Sequence, residues 1–316
     1  MSEVYFNQIS KQILSSNSSP QRFVDFQAGN YELRPDTFVS NQGKKRLSKT
    51  AKIAIAIGGI ATAGVAAILL HKKINKPTIE KAQKAFQEIF VRDDISIKET
   101  EAILARYKEI EKIANDEEYI QALFAFAKKN FGLEHTNISL KIKDLGKAIG
   151  CSDGVGNLTI SSKAKRKGMV NFIHHELRHS KQKDIMASVD MDRLGESLFQ
   201  RAPVQKTLKK LDLYKKHYDI VKQHSPNLSE KQVSEVAMSN VIDHLKKGLL
   251  ATYEKQGLGK IKYENLDDDF VKALFKAEEN YVEPTLNPIG YRFNFLEKDA
   301  RNAGETTQKI VKFFSK

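Results

Sequence analysis

A chain of 316 residues, 41% of them hydrophobic and 29% charged, is long enough and apolar enough to fold around a core, which excludes a largely disordered protein. The net charge of +13 would suit an anionic partner, but the lysines are spread over many helical faces and no basic and aromatic motif is present, so no specific nucleic-acid binding is expected. The single cysteine, Cys151, excludes an intramolecular disulfide and a multi-cysteine zinc site, so any metal must be held by histidines and carboxylates.

The first predicted elements are a flexible polar tail over 1–50 and an apolar helix. The uncharged run 53–70 has 18 residues, and at about 1.5 Å per residue a helix of this length spans roughly 27 Å, enough to cross the hydrocarbon core of a bilayer. A cleaved signal peptide and a buried helix rich in alanine and glycine are the alternatives. We therefore predict a transmembrane helix over 51–72 and a single-pass membrane protein with the lipid bilayer as a partner. Basic residues flank the run equally, which leaves the side of the membrane open.

Three helices are predicted in the segment 77–131. The first opens at Pro77 and runs to about residue 90, because proline is favoured at the start of a helix. Ser96, with a glutamate three residues later, forms a capping-box pattern for the second helix, and Asp116 starts the third. These helices are expected to cover the domain that follows.

A change of periodicity predicts strands at the start of the next domain, 132–316. Apolar residues alternate over 138–142 and again over 158–160, which is typical of half-buried strands. From Lys167 onward the pattern is helical, with a large helical insertion at about 186–290. The predicted fold class is therefore α+β: a mostly helical domain with a small antiparallel sheet, preceded by the single transmembrane helix.

The segment His175-Glu176-Leu177-Arg178-His179 carries the predicted chemistry. Residues four apart lie on one face of a helix, so His175 and His179 are placed to bind one zinc ion. Glu176 lies beside them, where its carboxylate can take a proton from a water molecule and return it to the leaving group. The alternative is a helix with two solvated or capped histidines. The pattern predicts a Zn²⁺ site with Glu176 as the general base.

The order of elements around this motif resembles the zincin metallopeptidases. A hairpin with a glycine-rich turn, the short strand 158–160 and the motif helix follow one another as in that family, whose edge strand binds extended substrate. Residues 175–182 carry the resemblance. The metzincin branch would add a glycine and a third histidine, but Gln182 and Ile185 stand at those positions. The resemblance implies a zincin-like domain that hydrolyses a peptide or protein substrate.

Near the C-terminal end, Glu297-Lys298-Asp299-Ala300 is similar to the glutamate-bearing motif of the gluzincin branch. This similarity implies Glu297 as the third metal ligand, Ala300 as a close-packing position and Asp299 as a residue that orients a ligand histidine. The separation of 118 positions between His179 and Glu297 requires the helical insertion. Rival third ligands are Glu283, Glu279, His217, His224 and His244.

Other residues near the motif have weaker assignments. Tyr291 is a candidate catalytic residue that donates a hydrogen bond to the oxyanion, and its alternative is an aromatic that packs the start of a helix. His174 points about 100° away from His175 on a helix, which favours a solvated or supporting residue. Arg178 is expected to face solvent or an acidic partner, and Cys151 to be a small buried residue.

These observations predict a membrane-anchored zinc metallopeptidase. The alternative from another class is a non-catalytic, membrane-tethered helical scaffold or binding protein, including a zincin-like fold that has lost its cleft. The sequence leaves the substrate, the cleavage preference and the oligomeric state open.

Overall fold

The computed structural model describes residues 77–145, 150–152, 156–281 and 287–315. Ten helices and three short strands lie in these residues, so this part of the protein is mostly helical. In chain order the elements are α1 (Ile79–Phe90), α2 (Ile97–Glu111), α3 (Asp116–Asn130), β1 (Leu140–Lys143), β2 (Gly150–Ser152), β3 (Leu158–Ser161), α4 (Met169–Gln200), α5 (Ala202–Leu208), α6 (Asp212–His224), α7 (Glu230–Gln256), α8 (Asp268–Glu279), α9 (Pro288–Phe293) and α10 (Phe295–Phe314).

The first three helices begin where the sequence predicts them. Each starts after a residue whose side-chain oxygen accepts a backbone N–H of the first turn, namely Thr78, Ser96 and Asn115. Such caps satisfy N–H groups that have no partner inside the helix. The second helix ends at Glu111, a few residues earlier than the apolar periodicity indicates.

The predicted antiparallel sheet is wrong. The three strands have the order β1–β3–β2, in which β1 pairs parallel with β3 and β2 pairs antiparallel with β3. Alternation of apolar residues reports which face of a strand is buried, but not which strand lies beside it. With strands of only three or four residues, the α+β assignment is corrected to a mostly helical protein with a minimal mixed sheet.

The strand order also contradicts the prediction that β3 lies at the edge of the sheet. The resemblance to the zincins predicts that β3 is the edge strand that binds substrate. In the structure, β3 has hydrogen-bonded neighbours on both sides. Among the described residues, the edges without a further strand belong to β1 and β2. A substrate strand therefore has no place beside β3.

The expectation of a single-pass membrane protein is also corrected. In the part of the chain that the structure describes, no helix combines the length and the apolar character needed to cross a bilayer. The run 53–70 and the predicted tail 1–50 lie outside the described residues.

Helix α4 runs through the centre of the protein and has a break at Asp190. The backbone of Asp190 is extended (φ −155°, ψ 90°), and its Oδ1 accepts the N–H of Arg193 at 2.8 Å. Asp190 thus caps a second helical stretch, and the motif lies in the first. One hydrophobic core surrounds this first stretch and joins helices α1–α3 to the helices that follow, with Phe86, Tyr107, Leu123, Ile173, Leu177 and Ile310 among its buried members.

Helix α10 packs closely along α4. Ala300 and Ala303 are buried, and a Cβ atom at Gly304 would overlap Asn171 Oδ1 and lie 2.5 Å from the Asn171 carbonyl oxygen. Only a residue without a side chain fits so close to another helix. The expected close packing at Ala300 is therefore present, and it brings the first turn of α10 to the motif on α4.

Candidate metal centre

Three side chains from two helices converge on one point. His175 and His179 lie one turn apart on α4, with their Nε2 atoms 3.2 Å apart. Glu297, in the first turn of α10, places Oε2 at 3.7 Å from His175 Nε2 and 3.6 Å from His179 Nε2. All ligand atoms of this group lie within 4.8 Å of one another. The structure thus brings Glu297 to the two histidines as a group that can hold a metal ion.

The spacing of these atoms fits a small tetrahedral ion. Ligand distances of about 2.0–2.1 Å and tetrahedral angles place neighbouring ligand atoms about 3.3 Å apart. In addition, Glu297 Oε2 is buried and makes no hydrogen bond in the described part of the chain, and its ion-pair neighbours there are the two histidines. A buried carboxylate is unfavourable unless a cation compensates it, and either a protonated His179 or a metal ion can do so. The donor set therefore fits a metal ion.

Burial and mutual charge put two of the ligands in their metal-binding forms. Burial and, to a smaller extent, the charge of the neighbouring His179 lower the pKa of His175 to about 3, so the imidazole of His175 is neutral near pH 7. Burial would raise the pKa of Glu297, but the charges of His179 and His175 hold it well below its usual range. For His179 the effect of burial is exceeded by the Glu297 carboxylate, which raises the pKa of His179. A metal ion would displace that proton.

Gln182 fixes the orientation of the His179 ring. Its Nε2 donates to the Leu296 carbonyl at 3.1 Å and to Asp299 Oδ2 at 2.8 Å, so its Oε1 is the acceptor that faces His179 Nδ1 at 2.9 Å. The proton of a neutral His179 therefore lies on Nδ1, and the lone pair of Nε2 points to the common site. Asp299 orients a ligand histidine as expected, but through Gln182 and not directly.

The same Asp299 holds Arg178. The Arg178 guanidinium donates to both carboxylate oxygens of Asp299, at 2.6 and 3.0 Å. It also donates to the carbonyl of Ile89 at 2.6 Å, in the last turn of α1. Arg178 is therefore buried with an acidic partner, and it links α1, α4 and α10 next to the metal ligands.

Two tyrosines stand beside Glu297. The hydroxyl of Tyr281 donates to Glu297 Oε1 at 3.1 Å, so Oε1 has a hydrogen-bond partner. The other carboxylate oxygen, Oε2, faces the histidines. The ring of Tyr291 meets that of Tyr281 edge to face, with centroids 6.0 Å apart, and Tyr291 helps to lower the pKa of Glu297. The structure thus places Tyr291 at the site. Sequence reasoning missed Tyr281 and the role of Gln182, since neither belongs to a spaced motif.

The centre opens to solvent on the side of His179 and Glu176. The side chain of His179 is 23% exposed, compared with 11% for His175 and 5% for Glu297. Glu176 is half-buried, and its charge contributes to the raised pKa of His179.

His174 has a different environment from its neighbour. It is fully buried, with Nε2 2.7 Å from the Tyr107 hydroxyl and Nδ1 2.7 Å from the Val170 carbonyl. Its ring packs against Phe90 and Phe131. His174 is therefore a buried, hydrogen-bonded packing residue. Of the two alternatives that the sequence offers, a solvated or a supporting residue, the solvated one is wrong.

The rival third ligands lie elsewhere or outside the described residues. Glu279 pairs with Arg193 at 2.8 Å. In the described part of the chain, the cluster of possible ligands contains none of the three rival histidines, which lie on α6 and α7: His217, His224 and His244. Glu283 and the side chain of Cys151 fall outside what the structure describes.

Comparison with protein-family models, with curated proteins and with solved structures finds no match to this chain. The chemistry of the centre is therefore inferred from its own geometry.

Proposed function

We propose that the protein is a zinc-dependent metallopeptidase that hydrolyses peptide bonds in a peptide or protein substrate. His175, His179 and Glu297 are the proposed ligands, and Glu176 is the proposed general base. The observation that carries this proposal is the convergence of two imidazole nitrogens and one buried carboxylate oxygen on a common point, with Glu176 next to His175 on the same helix. The resemblance of residues 175–182 to the zincins supports the reaction class.

The donor set favours a transition-metal ion such as zinc over Ca²⁺ and Mg²⁺. Two imidazole nitrogens and one carboxylate oxygen are typical zinc ligands, whereas Ca²⁺ and Mg²⁺ prefer six or more oxygen atoms. Three protein ligands leave a fourth tetrahedral position for water or substrate, as in catalytic zinc sites. This count distinguishes the proposed centre from a structural zinc site, which has four protein ligands.

The residues around the site have complementary roles in the proposed reaction. When bound, zinc lowers the pKa of water and polarises the substrate carbonyl. Glu176 takes the proton from the attacking water and passes it to the leaving amine. Tyr291 donates a hydrogen bond to the oxygen on which negative charge develops. Gln182 and Asp299 hold His179 in the tautomer that the reaction needs.

Metal analysis of the purified protein tests the ligand assignment. We expect about one zinc ion per chain, lost on substitution of His175→Ala, His179→Ala or Glu297→Ala because each removes one of the three ligands. His244→Ala, which removes an exposed histidine on α7, is the matched control and should keep the metal. A metal-free wild type, or ligand variants that hold as much zinc as wild type, would contradict the proposal.

Glu176→Gln separates metal binding from catalysis. The amide keeps the shape of the side chain but takes no proton, so we expect full zinc content and a loss of roughly 10²- to 10⁴-fold in hydrolysis of a mixed peptide library. Mass spectrometry of the library before and after incubation measures the cleavage. Zinc binding without cleavage by wild type would favour the alternative of a metal-binding module without catalysis.

A further inference from the structure

An arginine lies next to the candidate metal centre. Arg301 follows Glu297 by four residues on α10, so the two side chains project from the same face of the helix, about 5–6 Å apart at Cβ. The Arg301 guanidinium donates through Nη2 to the carbonyl of Arg292, at the end of α9. Its positive charge reaches His175, where it contributes to the lowered pKa.

Arg301 forms no ion pair with an acid in the described residues, although the carboxylates of Glu297 and Glu305 act on its charge and raise its pKa. In the described part of the chain, no carboxylate lies within salt-bridge distance of its guanidinium, and the bond to the Arg292 carbonyl is its hydrogen bond there. Burial lowers the pKa of Arg301, which shows that its charge is partly removed from water. The arginines that do pair with an acid are Arg92, Arg106, Arg166, Arg178, Arg193 and Arg201.

The Arg301 guanidinium is a cation beside the candidate metal centre. A divalent ion would offset the charges of the Glu297 and Glu176 carboxylates, and Glu305, on the same helix, also acts on the charge of Arg301. A guanidinium presents its N–H groups as a fork that matches the two oxygens of a carboxylate. Most of these N–H groups remain available on Arg301, since its described hydrogen bond uses Nη2 alone.

We propose that Arg301 binds a carboxylate of the substrate, so that the site selects peptides with a carboxylate close to the bond that is cleaved. This inference rests on the proposed peptidase function. The carboxylate has two possible sources, the C-terminus of a peptide and an acidic side chain. Arg301 is a specificity-determining residue in this assignment, and the bond to Arg292 positions it.

Four peptides of otherwise identical sequence test the inference and separate the two sources. One pair differs only in a free or amidated C-terminus, and the other pair, amidated throughout, carries glutamate or glutamine at an internal position. Binding is measured by calorimetry with wild type and with the variants Arg301→Gln, Arg301→Lys and Lys298→Gln. Lys298 is an exposed cation on the same helix, so its variant controls for the change in net charge.

We expect wild type and Lys298→Gln to bind one carboxylate peptide about 10- to 100-fold more tightly than its neutral twin, as for a charge-assisted hydrogen-bonded pair. Arg301→Gln should lose this preference, and Arg301→Lys should keep a reduced one because it retains the charge but not the fork. A purely structural Arg301 would weaken both members of a pair equally. No preference in wild type, or an unchanged preference in both Arg301 variants, would overturn the inference.

The binding readout keeps this inference distinct from the proposed function. A wild type that binds the carboxylate peptides selectively but cleaves none of them would remove the peptidase proposal and leave the role of Arg301 standing. A wild type that binds and cleaves acidic and neutral peptides equally well would support the peptidase proposal and remove the proposed role of Arg301.

Discussion

The hydrogen bonds of Gln182 show how one neutral side chain can define a metal ligand. An amide has one accepting and one donating end, and both are used here: the donating end meets Leu296 and Asp299, and the accepting end meets His179. Because Asp299 is itself held by Arg178, the orientation of the His179 ring depends on residues that do not touch the metal position. Such supporting contacts commonly tune metal affinity.

Gln182→Leu is predicted to weaken zinc binding about 10- to 100-fold, because the variant keeps the bulk of the side chain but no longer fixes the His179 tautomer. Competition with a chromophoric chelator measures the affinity. Gln121→Leu, an exposed position on α3, is the control. Equal affinities for Gln182→Leu and wild type would show that the ring is held by packing alone.

His174 predicts an acid-sensitive stability. Burial lowers the pKa of His174 to about 4, below the value of about 6.5 for an unfolded chain. Between these values the unfolded state binds the extra proton, so stability falls as the pH drops from about 6.5 to 4 and is unaffected by this group above 6.5. The contribution lost is about 3 kcal/mol.

Denaturant unfolding at several pH values, with a chelator present to remove metal linkage, checks this prediction. His174→Gln should be less stable at neutral pH, since it disturbs the contact with Tyr107, but its stability should depend less on pH over the same range. His224→Gln, at an exposed position, should keep the wild-type dependence. A slope that does not change in His174→Gln would assign the acid sensitivity to other groups.

At the scale of elements, the centre depends on the contact between α4 and α10. The histidines come from one helix and the glutamate from the other, and the small residues of α10 set how closely the two approach. A shift of α10 by one ångström would move Glu297 out of reach of a metal ion whose ligand distances vary by only about 0.2 Å.

Gly304→Ala is predicted to destabilise the protein by about 1–3 kcal/mol and to weaken metal binding. The added methyl group would overlap Asn171, and it would push α10 away from α4. Thermal unfolding and zinc titration measure the two effects. Because the clash includes the Asn171 backbone, Asn171→Ala should not rescue the variant, whereas Lys309→Ala, exposed on the same helix, should be neutral.

The parts of the site that the sequence predicts are those governed by the geometry of a single helix. A spacing of four puts His175 and His179 on one face whatever the rest of the fold does. Only the similarity to the gluzincin motif predicts Glu297 as the third ligand, because its approach to the histidines depends on packing that no local pattern encodes. The parallel pairing of β1 with β3 was missed for a related reason, since the alternation in each strand fits several neighbours equally well. Tyr281 and Arg301 reach the centre only through tertiary contacts.

At the scale of the whole molecule, a bound ion would act as a clamp between distant parts of the chain. A ligand that binds only the folded state stabilises it by about 2.7 kcal/mol at a concentration one hundred times its Kd. For a folded unit of about this size, that corresponds to a rise of roughly 5–10 °C in Tm.

Zinc at about one hundred times its Kd is therefore predicted to raise the Tm of chelator-treated wild type by roughly 5–10 °C, as measured by circular dichroism. His179→Ala should show no rise, because the clamp has lost one of its ligands. A rise of equal size in both proteins would mean that zinc binds elsewhere.

The long separation between His179 and Glu297 sets the time at which the centre can be completed. Ribosomes add about 5–20 residues per second, so the 118 positions between them take roughly 6–24 s to synthesise. During that interval the nascent chain carries the two histidines on α4 but not the acid that completes the set. Helices α5–α9 must then be accommodated before α10 docks, and such non-local contacts form late. Binding of a metal ion by all three candidate ligands would therefore be a late step of maturation, because it requires that α4 and α10 have already packed together.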